Sequence, residues 1–79
     1  MLTSEQARAA RSLIDMTQRE LASKAGVSQP LIADFERGKR TPHLNNLLSI
    51  RRVLEEAGVE FIPADEAGGP GVRLKAPRS

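Results

Sequence analysis

A chain of 79 residues with a formal net charge of +2, 39% hydrophobic residues and no cysteine describes one small domain. Its core is modest at this length, and without cysteine neither a disulfide nor a Cys-ligated metal can staple it, so association with a second copy is one remaining source of stability. No apolar run approaches the roughly 20 residues of a membrane span, and the N-terminal MLTSEQARAARS lacks the continuous apolar stretch of a signal peptide.

The first helix is expected from about Ser4 to Asp15. Thr3 and Gln6 stand at capping-box spacing, where the hydroxyl accepts from a first-turn N–H and the amide reaches back. Ala7, Ala10, Leu13 and Ile14 recur at helical spacing as one apolar stripe. A second helix starts at Thr17, which forms another capping box with Glu20. Leu21, Ala22 and Ala25 face inward, Gly26 ends the helix as a left-handed cap, and Val27 plugs the turn. The third helix takes Ser28 as its N-cap and tolerates Pro30 in its first turn, where a missing N–H is harmless. Ile32 and Phe35 are its buried pair, and Gly38 ends it. Lys39 to Pro42 form a basic loop that Pro42 keeps from continuing the helix.

The fourth helix is expected from about His43 to Ala57, ended by Gly58. Its apolar residues, Leu44, Leu47, Leu48, Ile50, Val53, Leu54 and Ala57, cover more of its circumference than one packing face requires. It is therefore expected to pack on the first three helices and on something else. Val59 to Ile62 and Gly71 to Lys75 alternate apolar and polar residues as half-buried strands do, around a long, mobile loop over Pro63 to Pro70. An isolated two-stranded hairpin is marginal in water, so this one must lie on the fourth helix or pair with another chain. The expected division is a helical unit over residues 1–58, a β extension over 59–75 that serves dimerisation, and a frayed tail over 76–79.

The segment Thr17 to Gly38 carries the strongest signal: two short helices joined by a tight turn, the layout of a DNA-binding helix-turn-helix. Ala22 permits close helix approach, Gly26 tolerates positive φ, and Ile32 locks the second helix onto the first. The pattern Gln18-x3-Ala22-x3-Gly26-Val27-Ser28-x3-Ile32 closely resembles the Xre-type family of helix-turn-helix regulators, which includes phage repressors and Cro proteins. The resemblance covers residues 3 to 58. It implies a mainly α fold, a lambda-repressor-like four-helix DNA-binding domain, here with a C-terminal β-hairpin or pair of short strands.

In that family the third helix, here about residues 28–37, enters the major groove. The resemblance places Gln29, Pro30 and Asp34 at positions that face bases, with Ala33 beside them. Gln29 can pair two-pronged with adenine, and Ala33 can touch a thymine methyl. The contact of Pro30 can only be apolar. Asp34 either accepts from cytosine N4 or is a solvated acid paired with a neighbouring Lys or Arg. Gln18 and the start of the second helix are expected at a phosphate, with Ser28, Lys39, Arg40, Thr41 and Asn45 as further phosphate contacts and Arg19 as a weaker one. Asn46 is a further hydrogen-bonding candidate. Arg11 and Glu36 match a salt bridge seen across the family.

Other chemistry is not expected. His43 is the only histidine, so no metal site of usual spacing exists. Asp65 and Glu66 read as solubilising loop residues, and Gly68-Gly69-Pro70-Gly71 is a turn signal rather than a phosphate-cradling loop. With two Phe and neither Trp nor Tyr, the chain has no stacking platform for single strands. The total charge is uninformative; the clustering of Arg37, Lys39 and Arg40 after the third helix is what favours DNA. The expectation is a non-enzymatic, cofactor-free, cytoplasmic regulator of transcription, nucleoid-associated when bound. It would act as a homodimer on a palindromic double-stranded operator, away from any membrane. The alternative is the antitoxin of a toxin–antitoxin pair, with a small protein partner and DNA binding used for autoregulation.

Overall fold

Hydroxyl side chains start the first three helices of the computed structural model, which describes residues 2–76. The Thr3 hydroxyl accepts from the Gln6 backbone N–H while Gln6 Oε1 accepts from the Thr3 N–H, opening α1 (Ser4–Leu13). Thr17 and Glu20 make the same reciprocal pair at α2 (Gln18–Ala25). The Thr17 N–H holds the Glu20 carboxyl below the usual carboxylate range. Ser28 Oγ accepts from the Leu31 N–H at the start of α3 (Gln29–Glu36). Each bond satisfies a first-turn donor that has no helical partner. His43 occupies the N-cap position of α4 (Leu44–Glu56) without a side-chain capping bond.

The same three helices close alike. The N–H groups of Met16, Val27 and Lys39 bond the carbonyls of Arg11, Ala22 and Asp34 at 3.0, 3.0 and 2.9 Å. This six-to-one closure places one residue in the left-handed region just before its last member. Those residues are Asp15, Gly26 and Gly38, at φ 54°, 71° and 74°. Helix α1 therefore stops at Leu13 rather than at the expected Asp15, because Asp15 has already turned into a conformation that its short polar side chain tolerates. Helix α4 lies one residue inside its expected boundary at each end.

Helix α2 packs on both α3 and α4, and a hairpin of β1 (Val59–Ile62) and β2 (Gly71–Leu74) lies on α1 and α4. The strands are antiparallel, with Val59 opposite Leu74 and Ile62 opposite Gly71. They pair within one chain, the option that spares the hairpin from depending on a second copy. Val59 and Phe61 share one core with Leu21, Ile32, Ile50 and Leu54, so the hairpin completes the helical core rather than adding a separate layer. Two buried hydrophobic residues escape sequence reading. Leu2 joins the core, and Leu31 is buried beside the expected pair Ile32 and Phe35.

Gln6 is also buried. Its amide nitrogen donates to the carbonyls of Gly71 at 3.0 Å and Ile62 at 3.4 Å, so the capping glutamine of α1 also grips the hairpin. The connecting loop is organised at its tip, where Asp65 Oδ1 accepts from the N–H groups of Ala67 and Gly68. Of the expected tail, residues 77–79 lie outside the described residues. The wide apolar surface of α4 divides: Leu47, Ile50 and Leu54 are buried, whereas Leu44 and Leu48 remain 57% and 43% exposed.

Candidate nucleic-acid interface

Helix α3 has two faces with different chemistry. Its inner face buries Ile32, Phe35 and the carboxylate of Glu36, which is only 2% exposed. Arg11 Nε donates to Glu36 Oε2 at 2.6 Å and Nη2 donates to Oε1 at 2.7 Å, a two-pronged pair. Arg11 Nη1 donates to the Met16 carbonyl at 2.9 Å, and Gln18 Nε2 donates to Glu36 Oε1 at 3.1 Å. One carboxylate thus ties α3 to α1 and to the start of α2. The hydrogen bond to Glu36 also raises the Arg11 pKa, so the guanidinium stays charged. No buried side-chain polar atom lacks a partner among the described residues.

The outer face carries Gln29, Pro30, Ala33, Asp34 and Arg37 around a shallow, open depression of about 310 Å³. All of the residues expected to face bases therefore fall on one side of α3. Asp34 is paired: Arg37 Nη2 donates to its Oδ1 at 2.7 Å. Of the two alternatives open in the sequence, the free chain adopts the ion pair.

The residues expected at phosphates lie on α2, at the start of α3, in the loop after it and on α4. Arg19, Ser28, Lys39, Arg40, Thr41 and Asn45 are exposed, and Asn46 is half-buried. Arg19, Lys39 and Arg40 have no ion-pair partner among the described residues. Buried Pro42 anchors the loop that carries the last two. Gln18 stands differently from its expectation, because its amide nitrogen points at Glu36 rather than outward. The backbone N–H groups of Gln18 and Arg19, which take no part in the α2 capping bonds, are the donors left at that helix end. Sequence reasoning placed Arg37 with the basic loop and missed its place on the outer face of α3. Its spacing of four from Ala33 and eight from Gln29 is the signal that finds it.

Among the described residues no group of three or more His, Cys, Asp or Glu is placed to hold a metal ion. No helix there is long and apolar enough to cross a membrane.

A family profile described as Helix-turn-helix matches residues 8–61. The chain belongs to the helix-turn-helix family. The match runs from α1 through most of β1, so the first strand is part of what the helix-turn-helix profile covers. The chain is 36% identical over 70 residues to an uncharacterized HTH-type transcriptional regulator, y4dL, of Sinorhizobium fredii. That alignment takes in 89% of this chain but only 34% of the relative, so the chain spans about a third of its length. The fold is similar to the solution structure of the DNA-binding domain of the P22 C2 repressor, with a TM-score of 0.64 and 33% identity. That similarity covers 70% of this chain and 72% of the repressor chain. The expected kinship with phage repressors and the mainly α, four-helix repressor fold are thereby shown, and the helix-turn-helix regulators are a non-enzymatic family.

Proposed function

We propose that this helix-turn-helix domain is a sequence-specific regulator of transcription that binds double-stranded DNA as a dimer on a palindromic operator, with α3 in the major groove. The observation that carries this reading is the two-faced chemistry of α3. Its inner face is pinned by a buried ion pair, while its outer face opens to solvent with Gln29, Pro30, Ala33 and an Asp34–Arg37 pair, and the exposed Lys39 and Arg40 that follow have no ion-pair partner among the described residues. Gln29 pairs with adenine, while Pro30 and Ala33 offer apolar contact to thymine methyl groups. Lys39 and Arg40 clamp phosphates, helped by Ser28, Thr41 and Asn45. At the start of α2 a phosphate meets backbone N–H groups of Gln18 and Arg19 and the helix dipole. The exposed Leu44 and Leu48, one turn apart on α4, together with the β extension, form the surface offered to a second copy. Such a regulator works in the cytoplasm, on the nucleoid.

Selection of binding sites from random duplex DNA tests the whole reading. It should enrich a two-fold symmetric site whose half-sites lie about one helical turn, roughly 10 base pairs, apart. Failure to enrich any sequence would sink the proposal. Replacing Arg40 with alanine should then weaken binding to all sequences alike. The slope of log K against log salt should fall by about 0.9, the value for one phosphate contact, with base preference unchanged. A changed base preference would refute its phosphate role.

A further inference from the structure

The Asp34–Arg37 ion pair sits toward the C-terminal end of the outer face of α3, beside Ala33, and neither residue has another side-chain partner among the described residues. Arg37 is 59% exposed and Asp34 36%. An exposed pair three residues apart adds little to folding stability. It does fix where a long, flexible guanidinium points. One Arg37 N–H is engaged by Asp34 Oδ1, and the remaining donors of the guanidinium have no partner among the described residues. Arg37 thus lies beside Gln29, Pro30 and Ala33 with a donor fork still to offer.

Two targets suit such a fork, a phosphate or the O6 and N7 acceptors of guanine. The charge balance decides between them. The pair is net neutral, and the Asp34 carboxylate within it repels phosphate oxygens, so little Coulomb attraction draws Arg37 to the DNA backbone. A base edge carries acceptors but no net charge, and a neutral pair with oriented donors fits it. Lys39 and Arg40, by contrast, have no ion-pair partner among the described residues and suit phosphates.

We propose that Arg37 is a specificity-determining residue that reads a guanine in each half-site, and that Asp34 is the positioning residue that holds it for that contact. This rests on the reading of α3 as the recognition helix. It also gives Asp34 a role other than accepting from cytosine: the acid acts through the arginine.

The test is binding-site selection with the full chain and with Arg37→Ala and Asp34→Asn, followed by affinity measurements over a range of salt. The wild-type chain should select a guanine at a fixed offset from the adenine read by Gln29. Arg37→Ala should lower the preference for that guanine at least about tenfold and leave the salt slope unchanged. Asp34→Asn should weaken the same preference several-fold and steepen the salt slope, because an unpaired Arg37 is free to reach a phosphate. Both side chains are exposed, and a thermal melt of each variant matching the wild type shows that folding is intact. If Arg37→Ala flattens the salt slope by about 0.9 with its motif intact, Arg37 is a phosphate contact and the inference is wrong. An unchanged motif together with an unchanged slope overturns it equally. If the wild-type chain itself enriches no motif, the inference falls together with the proposed function; a motif indifferent to Arg37 overturns the inference alone.

Discussion

Replacing Arg11 with alanine should destabilise the domain by about 3–5 kcal/mol, the range for breaking one side of a buried ion pair. Glu36 is 2% exposed and would retain Gln18 Nε2 as its one remaining hydrogen-bond donor from a side chain. The Met16 carbonyl would lose a donor as well. Domains of this kind are stable by only about 5–15 kcal/mol, so a thermal melt should fall by about 12 °C or more. A variant in which Arg11 and Glu36 are both replaced by methionine separates the two contributions to that loss. It removes the charge along with its partner and should recover most of the stability. It should not recover DNA affinity, because the aim of α3 depends on the geometry of the pair. If Arg11→Ala melts within about 4 °C of wild type, a shift worth about 1 kcal/mol, the pair is not the clamp described here.

Ending the chain at Gly58 should have a comparable effect by another route. That cut coincides with the boundary expected between the helical unit and the β extension, yet it passes through the core. Val59 is fully buried and Phe61 nearly so, packed among the same residues as α1 and α4. Burial of one such side chain contributes about 1.5–3 kcal/mol, and the cut also removes the hairpin carbonyls that hold the Gln6 amide. The shortened chain should lose its cooperative thermal transition by circular dichroism. A sharp melt at the wild-type temperature would show that the helices fold without the strands. The role proposed for the hairpin in dimerisation therefore has to be tested by changing its exposed side chains, because deletion would report unfolding.

Local signals were legible in the sequence because they depend on residues three or four positions apart. Both capping boxes, the Ser28 cap and the glycines at Gly26 and Gly38 fall in this class. The end of α1 did not, because Asp15 takes a positive φ that sequence reading assigns first to glycine. The burial of Leu2 and Gln6 was hidden for another reason. Gln6 is held by hairpin carbonyls more than fifty positions away, and Leu2 belongs to a core that also contains Val59 and Phe61; no local pattern announces either. At the candidate interface, Gln29, Pro30, Ala33 and Asp34 were singled out by the resemblance to the repressor family, and the structure places them on one side of α3. The partners of Asp34 and Gln18 were beyond reach, because each has several polar neighbours at usable spacing and only side-chain geometry chooses among them.

The Gln6 amide has a mechanical consequence. Its carbonyl receives the Thr3 N–H near the beginning of the described chain, and its nitrogen holds both carbonyls of the ladder pair at the loop end of the hairpin. The first helical turn and the last strand are thereby latched to each other. Opening the first turn of α1 and lifting the hairpin off α1 both break bonds of this one amide, so the two movements are coupled although more than fifty residues separate them.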